Sequence, residues 1–260
     1  MLIYLCPNLT TPARVDAAKQ AVGCLERQGN ADVRMSAANS RALFGNDARS
    51  GDPAKADLIV SVGGDGSVLR AAQIAVGVDR PLLGVNSGRL GFLCALEISE
   101  LPALRLSALT SMPYEERTML SITLDGSTRL ALNDVVIARR RLAGTLSATV
   151  SNEERTLFSF RGDGLIIATP TGSTAYSRSA GGPVLLPDTG CFSLTPICAH
   201  TPGTAPLVVS DSKAYRVEVT DCGGDAADVL ADGATIGSVT APLTIEKHHR
   251  ALRLLRRPYS

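Results

Sequence analysis

The sequence predicts an α/β domain with a parallel sheet, followed by a β-rich domain. Up to residue 95, short apolar runs alternate with stretches whose apolar residues recur at helical spacing. Beyond Leu101, short β-rich runs are separated by turn residues. A chain of 260 residues is long enough for two modest domains. We expect residues 1–100 to form the first domain and residues 101–239 the second, with residues 240–260 packed back on the first.

In the first part, the predicted strands and helices alternate along the chain. Strands joined through helices imply a parallel sheet with crossover connections. Ligands of such sheets gather at the carboxyl ends of the strands, and the turn at residues 63–66 follows one of these ends. The predicted strands are residues 1–6, 57–62 and 81–86, and the predicted helices are residues 13–29 and 67–76.

The second part is predicted to consist of short strands. Residues 101–111 form a predicted short helix that links the two parts, and the basic tail from Lys247 is predicted to be a closing amphipathic helix or strand rather than an RNA-binding arm. The β-rich runs are SITLDGSTRLALNDVVIAR, SATVSN, RTLFSFRGDGLIIAT, AYRVEVT, DVLADGATIGSV and PLTIEK.

The composition argues against several classes of protein. Hydrophobic residues make up 45% of the chain and charged residues 20%, so a sizeable core is expected. The net charge of +1 argues against a basic groove for nucleic acid. No stretch reaches the ~18 apolar residues that a membrane span needs. The six cysteines form no C-x-x-C pair, so a cytoplasmic protein with reduced thiols is expected.

The stretch LIVSVGGDGSVLRAA places three glycines between a predicted strand and a predicted helix. Gly63, Gly64 and Gly66 allow consecutive N–H groups to point at an anion, which the N-terminus of the next helix also attracts. The stretch matches neither the P-loop nor the dinucleotide-binding fingerprint. Asp65 either stabilises the start of the helix in an ordinary strand-to-helix turn or takes part in chemistry.

Two further stretches combine polar groups with apolar strand patterns. Residues 165–187 contain one charged residue, Arg178, and seven hydroxyl residues, which suits a neutral polar ligand such as a ribose, an amide or a base edge. The alternative is an ordinary polar surface loop. Asn133 and Asp134 interrupt an apolar run. They either form a bulge or turn, with the bulge favoured by these residues alone, or present an amide and a carboxylate to a ligand.

Taken together, these stretches resemble the NAD kinase family. The resemblance lies in ordered blocks between about residue 58 and residue 233: GGDGS, GVNSGRLGFL, LNDVVIAR, DGLIIATPTGSTAYSRSAGG and ICAHTPGTAPLVVSDS. GGDG also occurs in lipid kinases, whereas TPTGSTAYS is far more specific. The resemblance implies an NAD kinase-like two-domain fold. It also implies transfer of the terminal phosphoryl group of ATP or polyphosphate to the 2′-hydroxyl of the adenosine ribose of NAD, which gives NADP.

The same resemblance implies roles for individual residues. Asp65 would be the general base on the acceptor hydroxyl, a role that typically contributes roughly 10²–10⁴-fold to the rate. A divalent cation, usually Mg²⁺, would bridge the donor phosphates. A homodimer or homotetramer would assemble the site between the β domains of its subunits. The implied nucleotide-binding residues are Gly63, Gly64, Gly66, Arg70, Asn133, Asp134, Arg161, Asp163, Thr171, Ser173, Thr174, Ala175, Tyr176, Ser177 and Ser179.

The chain departs from the family pattern at several positions. Ser67 stands where Thr is common, Asp134 where Glu is frequent, Ala234 where Gln is frequent and Ala205 where Arg is usual. The changes at Ala234 and Ala205 remove polar contacts and give slight support to an alternative function, that of a catalytically silent NAD(P)-binding sensor. The retained Asp65 argues against this alternative. A lipid kinase that shares GGDG would leave TGSTAYS unexplained. The sequence does not decide between ATP and polyphosphate as the donor.

Overall fold

The structure is a computed structural model that describes residues 1–27, 31–88, 91–141, 144–224 and 226–257. The chain divides into two compact units. Unit 1 contains Met1–Glu116 and the chain from Leu252 onward, and unit 2 contains Arg117–Ala251. The predicted fold class, an α/β domain with a parallel sheet and a β-rich domain, is confirmed. Strands and helices are numbered below in chain order.

Unit 1 is built on a seven-stranded sheet in which four neighbouring strands run parallel in the order β2-β1-β3-β4. The basic tail forms a strand, β19, which pairs in parallel with β4. β3 and β4 are buried along their whole length, as central parallel strands usually are. The strands are β1 (Leu2–Pro7), β2 (Asp32–Arg34), β3 (Leu58–Gly63), β4 (Leu82–Asn86), β5 (Leu96–Glu97), β6 (Tyr114–Arg117) and β19 (Leu252–Leu255).

Helices of unit 1 pack their apolar side chains on this sheet. α1 buries small residues and leucine on one face, and α3 buries Val68, Ala71 and Ala75. The predicted helix at residues 101–111 is divided between a 3₁₀ turn, Ile98–Ala103, and α4, while the predicted helical end at Gly29 lies outside the described residues. The helices are α1 (Pro12–Arg27), α2 (Ala37–Phe44), α3 (Asp65–Gly77) and α4 (Leu106–Thr110), with a further 3₁₀ turn at Pro53–Lys55.

Unit 2 contains two six-stranded sheets, and the neighbouring strands of its described residues all pair antiparallel. The loop between β12 and β13 carries a 3₁₀ turn, Gly172–Thr174, and the short helix α5 (Tyr176–Ser179). The strands are β7 (Leu120–Leu124), β8 (Ser127–Ala131), β9 (Asp134–Arg139), β10 (Leu146–Ser151), β11 (Thr156–Gly162), β12 (Gly164–Ala168), β13 (Cys191–Ile197), β14 (Leu207–Ser210), β15 (Tyr215–Asp221), β16 (Ala227–Ala231), β17 (Ala234–Ser238) and β18 (Leu243–Lys247).

The two sheets of unit 2 share one apolar core. Their strand orders are β11-β10-β15-β18-β7-β8 and β14-β13-β12-β9-β16-β17. The core cluster draws Ile122 and Ile245 from the first sheet and Ile137, Ile167 and Phe192 from the second, all fully buried. The sheets therefore pack face to face as a sandwich. Within the described residues, no helix has the length and apolar character needed to cross a bilayer.

Candidate active site

The turn after β3 leaves room for a ligand at the N-terminus of α3. Gly63 ends β3, and Gly64 is the N-cap of α3. A Cβ atom on Gly63 would lie 2.1 Å from Ser67 Oγ, so packing within the chain requires glycine there. A Cβ atom on Gly64 or Gly66 would meet no described atom within 4 Å. An anion can therefore approach this helix end closely.

The Asp65 carboxylate is held by the backbone of a neighbouring loop. Its Oδ2 accepts a hydrogen bond from the N–H of Phe92 at 2.8 Å, and its Oδ1 accepts one from the N–H of Leu93 at 3.0 Å. Gly91 permits this approach, because a Cβ atom there would lie 2.2 Å from Oδ1. Each carboxylate oxygen has a further lone pair. Asp65 can therefore still accept a hydrogen bond from a ligand hydroxyl.

Phe92, whose backbone N–H binds Asp65, had no predicted role. Its side chain is 82% exposed, although aromatic rings of this size are usually well buried. The ring offers a flat apolar face in the same loop that holds the carboxylate, and a planar ligand can stack on such a face. The signal in the sequence is the GVNSGRLGFL block, which contains Phe92 and which resembles the family pattern.

A small polar network lies on the first turns of α3. Ser67 Oγ accepts hydrogen bonds from Asn8 Nδ2 and from Arg70 Nη2, both at 3.3 Å. Arg70 itself is exposed, so its guanidinium adds a positive charge beside the glycine turn. This arrangement places Arg70 where it can face a phosphate group.

In unit 2, the backbone at Asn133 and Asp134 is fixed by a carboxylate from a distant turn. Asp232 accepts hydrogen bonds from the N–H groups of Leu132, Asn133 and Asp134 at 2.8, 2.7 and 3.3 Å. β9 pairs with both of its neighbours without a register shift. The bulge that the residues alone favoured is therefore wrong. The polar pair instead lies at a bend between β8 and β9 that Asp232 holds in place.

Two carboxylates lie close together at this bend. Asp134 is 5% exposed, and burial, followed by the negative charge of Asp232, raises its pKa to about 7. Burial also raises the pKa of Asp232, while its hydrogen bonds from the backbone act in the opposite direction. Near neutral pH, Asp134 is therefore protonated in part of the population, and its carboxyl group can donate or accept a hydrogen bond.

The loop that follows β12 packs its backbone against Asn133. A Cβ atom on Gly172 would lie 2.0 Å from the carbonyl oxygen of Asn133, so the two backbones touch. The N–H of Thr169 donates to that same carbonyl oxygen at 2.9 Å, and Thr169 Oγ1 donates to the carbonyl oxygen of Leu132 at 2.5 Å. The structure thus brings the Asn133 bend and the TPTGSTAYS stretch into one cluster.

Three of the hydroxyl residues in this stretch are buried, and their hydroxyl groups are hydrogen-bonded within the chain. Besides Thr169, Ser173 Oγ donates to the carbonyl oxygen of Pro170 at 2.7 Å. Ser177 Oγ shares buried hydrogen bonds with Ser193 at 3.2 Å and Thr195 at 3.1 Å.

The other hydroxyl residues of the stretch are less buried, although Arg117 Nη1 donates to Thr171 Oγ1 at 3.5 Å and Thr174 Oγ1 donates to the carbonyl oxygen of Thr171 at 3.4 Å. Thr174, Tyr176 and Ser179 are exposed, and the Tyr176 ring is the largest of these side chains. Thr171 and Ala175 are half-buried. The side chains available for ligand contacts in this stretch therefore belong to Thr171, Thr174, Ala175, Tyr176 and Ser179.

Arg161 and Asp163 lie at the opposite end of β12 from the Asn133 bend. Asp163 forms an ion pair with Arg139 at 2.8 Å, and Arg161 Nε donates to Thr145 Oγ1 at 2.6 Å. In the register of β9 and β12, Ala138 pairs with Gly164 and Asp134 with Ala168. At ~3.4 Å per residue, β12 keeps the two groups about 14 Å apart. A single copy of unit 2 does not bring them together.

The described residues contain no cluster of side chains that could hold a divalent cation on its own. No group of three His, Cys, Asp or Glu side chains among them could hold a metal ion. Mg²⁺ at phosphoryl-transfer sites is usually bound through one or two carboxylates together with substrate phosphates. Such a cation would therefore arrive with the phosphorylated substrate, and we assign it no step of its own.

Sequence comparisons match both parts of the chain to known domains. Residues 24–108 match the ATP-NAD kinase N-terminal domain, and residues 132–240 match the ATP-NAD kinase C-terminal domain. An NAD kinase of Clostridium perfringens is 41% identical over 201 residues, which cover 75% of this chain and 70% of that protein. An NAD kinase of Symbiobacterium thermophilum is 38% identical over 236 residues, covering 87% and 83%.

Solved structures show the same fold. The crystal structure of an NAD kinase from Archaeoglobus fulgidus in complex with ATP is 29% identical, with a TM-score of 0.74 and coverage of 98% of this chain and 92% of that chain. The structure of yeast NADH kinase with NADH has a TM-score of 0.85 at 21% identity, covering 99% and 84%. That second likeness concerns the fold alone.

Proposed function

The chain belongs to the NAD kinase family, and from that premise we propose that it transfers the terminal phosphoryl group of ATP to the 2′-hydroxyl of the adenosine ribose of NAD. The observation that carries the proposal is the Asp65 carboxylate, held by two backbone N–H groups beside glycines with open space. A carboxylate fixed in an anion-binding turn has the placement that a general base for a phosphate acceptor needs.

In the proposed reaction, one bond to phosphorus forms as another breaks, and the glycine turn supplies the group that accepts the proton. The ribose oxygen forms a bond to the terminal phosphorus of ATP, the bond from that phosphorus to the bridging oxygen breaks, and ADP leaves. Asp65 takes the hydroxyl proton as the new bond forms. Backbone N–H groups at the start of α3 and the Arg70 guanidinium stabilise the phosphate charge.

The repulsion between Asp65 and phosphate in the ground state is the cost of this arrangement. It is offset because the hydroxyl loses its proton only as the phosphoryl group arrives, when a nearby carboxylate is most useful. The two backbone hydrogen bonds keep the Asp65 carboxylate in one orientation.

In unit 2, we propose that the cluster around the Asn133 bend binds the dinucleotide. Asn133 offers an amide, Asp134 a carboxyl group that can donate or accept, and Tyr176 an exposed ring. Hydroxyl groups of a ribose and the edge of a base match such a set. Ser173 and Ser177 support the loop from within, because their hydroxyl groups are bonded inside the chain.

We propose that copies of the chain associate through unit 2. β12 separates Arg161 and Asp163 from the Asn133 bend by about 14 Å, so in this proposal one copy supplies the bend and another copy supplies Arg161 and Asp163. β14 is an edge strand in the described part of its sheet, and it exposes Leu207 and Val208. Exposed apolar edges are usually covered by a partner. Location in the cytoplasm stays a prediction.

Incubation of the purified protein with NAD, ATP and Mg²⁺ at neutral pH tests the proposed function. We expect NADP and ADP in equal amounts, with the new phosphate on the 2′-oxygen by ³¹P NMR. Inorganic polyphosphate in place of ATP tests the second donor. A protein that binds NAD but forms no NADP with either donor would be a sensor rather than an enzyme.

A further inference from the structure

The basic tail of the chain places an arginine beside the loop that holds the Asp65 carboxylate. The last strand, β19, buries three leucines and pairs in parallel with β4. Arg256 follows β19 directly, and its backbone N–H donates to the carbonyl oxygen of Pro113 at 2.8 Å. The backbone of Arg256 is therefore anchored on the sheet of unit 1, and its side chain extends from a fixed point.

The Arg256 guanidinium binds both this loop and a carboxylate of the neighbouring strand β6. Its Nη1 donates to the carbonyl oxygen of Phe92 at 2.9 Å. Its Nε donates to Glu115 Oε2 at 3.1 Å, and both side chains of this ion pair are half-buried. The planar guanidinium holds two acceptors in fixed directions, and hydrogen bonds from a charged donor are among the stronger ones. Glu115 therefore orients the guanidinium, and Arg256 holds the Phe92 carbonyl.

One peptide unit connects Arg256 with the Asp65 carboxylate. The carbonyl of Phe92 and the N–H of Leu93 belong to the same planar trans peptide, in which they point in opposite directions. The carbonyl accepts from Arg256, and the N–H donates to Asp65 Oδ1 at 3.0 Å. Because the unit is planar, a rotation that breaks the bond to Arg256 also disturbs the bond to Asp65.

A buried cysteine lies within reach of both charged groups. Burial raises the pKa of Cys94 to about 12, and the negative charge of Asp65 adds to this increase. The positive charge of Arg256 lowers the pKa of the same thiol. Arg256 therefore brings a positive charge into the surroundings of Asp65, in addition to its hydrogen bond on the loop.

We propose that Arg256 is a positioning residue for phosphoryl transfer, which fixes the peptide between residues 92 and 93 so that the loop keeps Asp65 in its productive orientation. The inference rests on the proposed function, in which Asp65 accepts the proton of the acceptor hydroxyl. Arg256 touches no reacting atom in this proposal. It acts on kcat through the carboxylate, and the binding of ATP and NAD does not depend on it.

Two variants of Arg256 and one control test this role. Arg256→Met removes the guanidinium and keeps an unbranched side chain, while Arg256→Lys returns a positive charge and one donor group. Arg253→Met is the matched control. Arg253 belongs to the same strand, but its guanidinium binds the carbonyl oxygen and the carboxylate of Asp79, at 2.8 and 3.1 Å.

We expect Arg256→Met to lower kcat at least about tenfold, because a small misplacement of a reacting group costs a large factor in rate. The KM for ATP and the KM for NAD should stay within about twofold of the wild type. Arg256→Lys should be at least about threefold faster than Arg256→Met, and Arg253→Met should match the wild type. Glu115→Gln is a milder second variant, which removes the charge that orients Arg256 and should lower kcat about threefold.

The Asp65→Asn background separates positioning from a general loss of structure. If Arg256 acts through the Asp65 carboxylate, its removal has little left to disturb once that carboxylate is gone. We expect the combined variant to keep the kcat of Asp65→Asn within about twofold, since residues that act as a unit are not additive. A merely structural role would lower kcat by the same factor in both backgrounds.

Hydrogen exchange followed by mass spectrometry measures the positioning without turnover. The amides of Phe92 and Leu93 are bonded to Asp65, so fragments that contain them should exchange slowly in the wild type. Arg256→Met should speed this exchange at least about threefold, whereas Arg253→Met should leave it unchanged. Fragments that contain β1 are the internal reference and should exchange alike in all variants.

The proposal is overturned if folded Arg256→Met keeps a kcat within threefold of the wild type, or if its effect is equally large in the Asp65→Asn background. It is also overturned if the amides of the loop exchange at the wild-type rate in Arg256→Met. A wild type that forms no NADP contradicts the proposed function, and the exchange rates then decide by themselves whether Arg256 fixes the loop.

Discussion

Asp65 is the first residue of α3 and Asp134 is the first residue of β9. Their surroundings give the two carboxyl groups different properties. Asp65 is half-buried and accepts two backbone hydrogen bonds. Asp134 is buried next to a second carboxylate, Asp232, which raises its pKa together with the larger effect of burial. At the residue scale, the first group is a fixed acceptor and the second changes protonation near neutral pH.

Replacement of Asp134 by Asn should change how stability depends on pH. The folded protein keeps the Asp134 proton up to a pKa of about 7, whereas the model acid loses it near 3.8. The folded state therefore binds more protons in this window, and stability falls as the pH rises from about 4 to about 7. Asp134→Asn should raise the free energy of unfolding by on the order of 2 kcal/mol at pH 8 and by much less at pH 4.5.

Urea unfolding at the two pH values measures this effect. Asp188→Asn, in an exposed turn, is the matched control and should follow the wild type at both values. An equal stability change for Asp134→Asn at pH 4.5 and pH 8 would contradict the raised pKa of Asp134, because the change would then not depend on the protonation of its carboxyl group.

Gly91→Ala tests whether the loop at residues 91–93 positions the Asp65 carboxylate, without changing Asp65 itself. The added Cβ atom would lie within 2.2–2.5 Å of all three carboxyl atoms of Asp65, so the carboxylate or the loop has to move. We expect kcat for NADP formation to fall at least tenfold, since a misplacement of about 1 Å can cost 10²-fold. The affinity for ATP, measured by titration, should change less than threefold. Unchanged kcat would mean that this loop does not position the carboxylate for chemistry.

At the scale of elements, the loop after β12 depends on a direct backbone contact with the Asn133 bend. Gly172→Ala would place a Cβ atom 2.0 Å from the Asn133 carbonyl oxygen, which cannot be accommodated without separating the two segments. We expect a loss of about 2–4 kcal/mol in the free energy of unfolding, a size typical of strain and broken contacts in a core. NAD affinity should fall as well.

Gly77→Ala is the control for this change. Gly77 ends α3, and a Cβ atom there would meet nothing described within 4 Å. This substitution should be neutral or slightly stabilising. Equal stabilities of the two variants in thermal unfolding would show that the close contact at Gly172 does not contribute to the stability of the fold.

Strands with apolar runs were predictable, and strands with buried hydroxyl groups were not. The apolar runs at β1, β3 and β4 were read from the sequence within one or two residues. β13 was missed, because Ser193, Thr195 and Pro196 interrupt its apolar pattern. The two hydroxyl groups are nevertheless buried, since they bond Ser177. A hydrophobicity pattern cannot register polar groups that are satisfied inside the fold.

The candidate site was predictable where residue types are unusual for their surroundings. Asp65 stood out because a carboxylate among glycines is unexpected in an anion-binding turn. Asp232 did not, because an Asp-Gly pair reads as an ordinary turn, and its partners lie about 100 residues away along the chain. Phe92 could not be chosen by type, since only the structure shows that its ring is exposed.

At the scale of the whole molecule, the proposed association through unit 2 places residues of two copies in one site. Asp134→Ala and Arg161→Ala should each lower activity alone, because each removes one group of the proposed dinucleotide site. In a mixed oligomer of the two variants, some sites regain both intact groups. We expect mixing after reversible dissociation to restore a substantial fraction of the activity, about a quarter in a randomly mixed dimer. This fraction follows from pairwise combination of copies in a closed two-fold assembly.

Sedimentation of the same mixtures checks that the copies exchange. A mixture in which exchange is shown but activity does not rise above that of the separate variants would contradict sharing of the site. A wild type that is monomeric and fully active at working concentration would contradict it as well.

The role of Asp65 as the general base is tested by the kcat of Asp65→Asn for NADP formation. This kcat is compared with that of the wild type and with that of Asp16→Asn, a change at an exposed position of α1. Asn keeps one oxygen to accept a backbone N–H but cannot take the hydroxyl proton. We expect a kcat at least about 10²-fold below that of the wild type, with NAD binding within threefold and Asp16→Asn unaffected. A kcat within threefold of the wild type would contradict the assignment of Asp65 as the base.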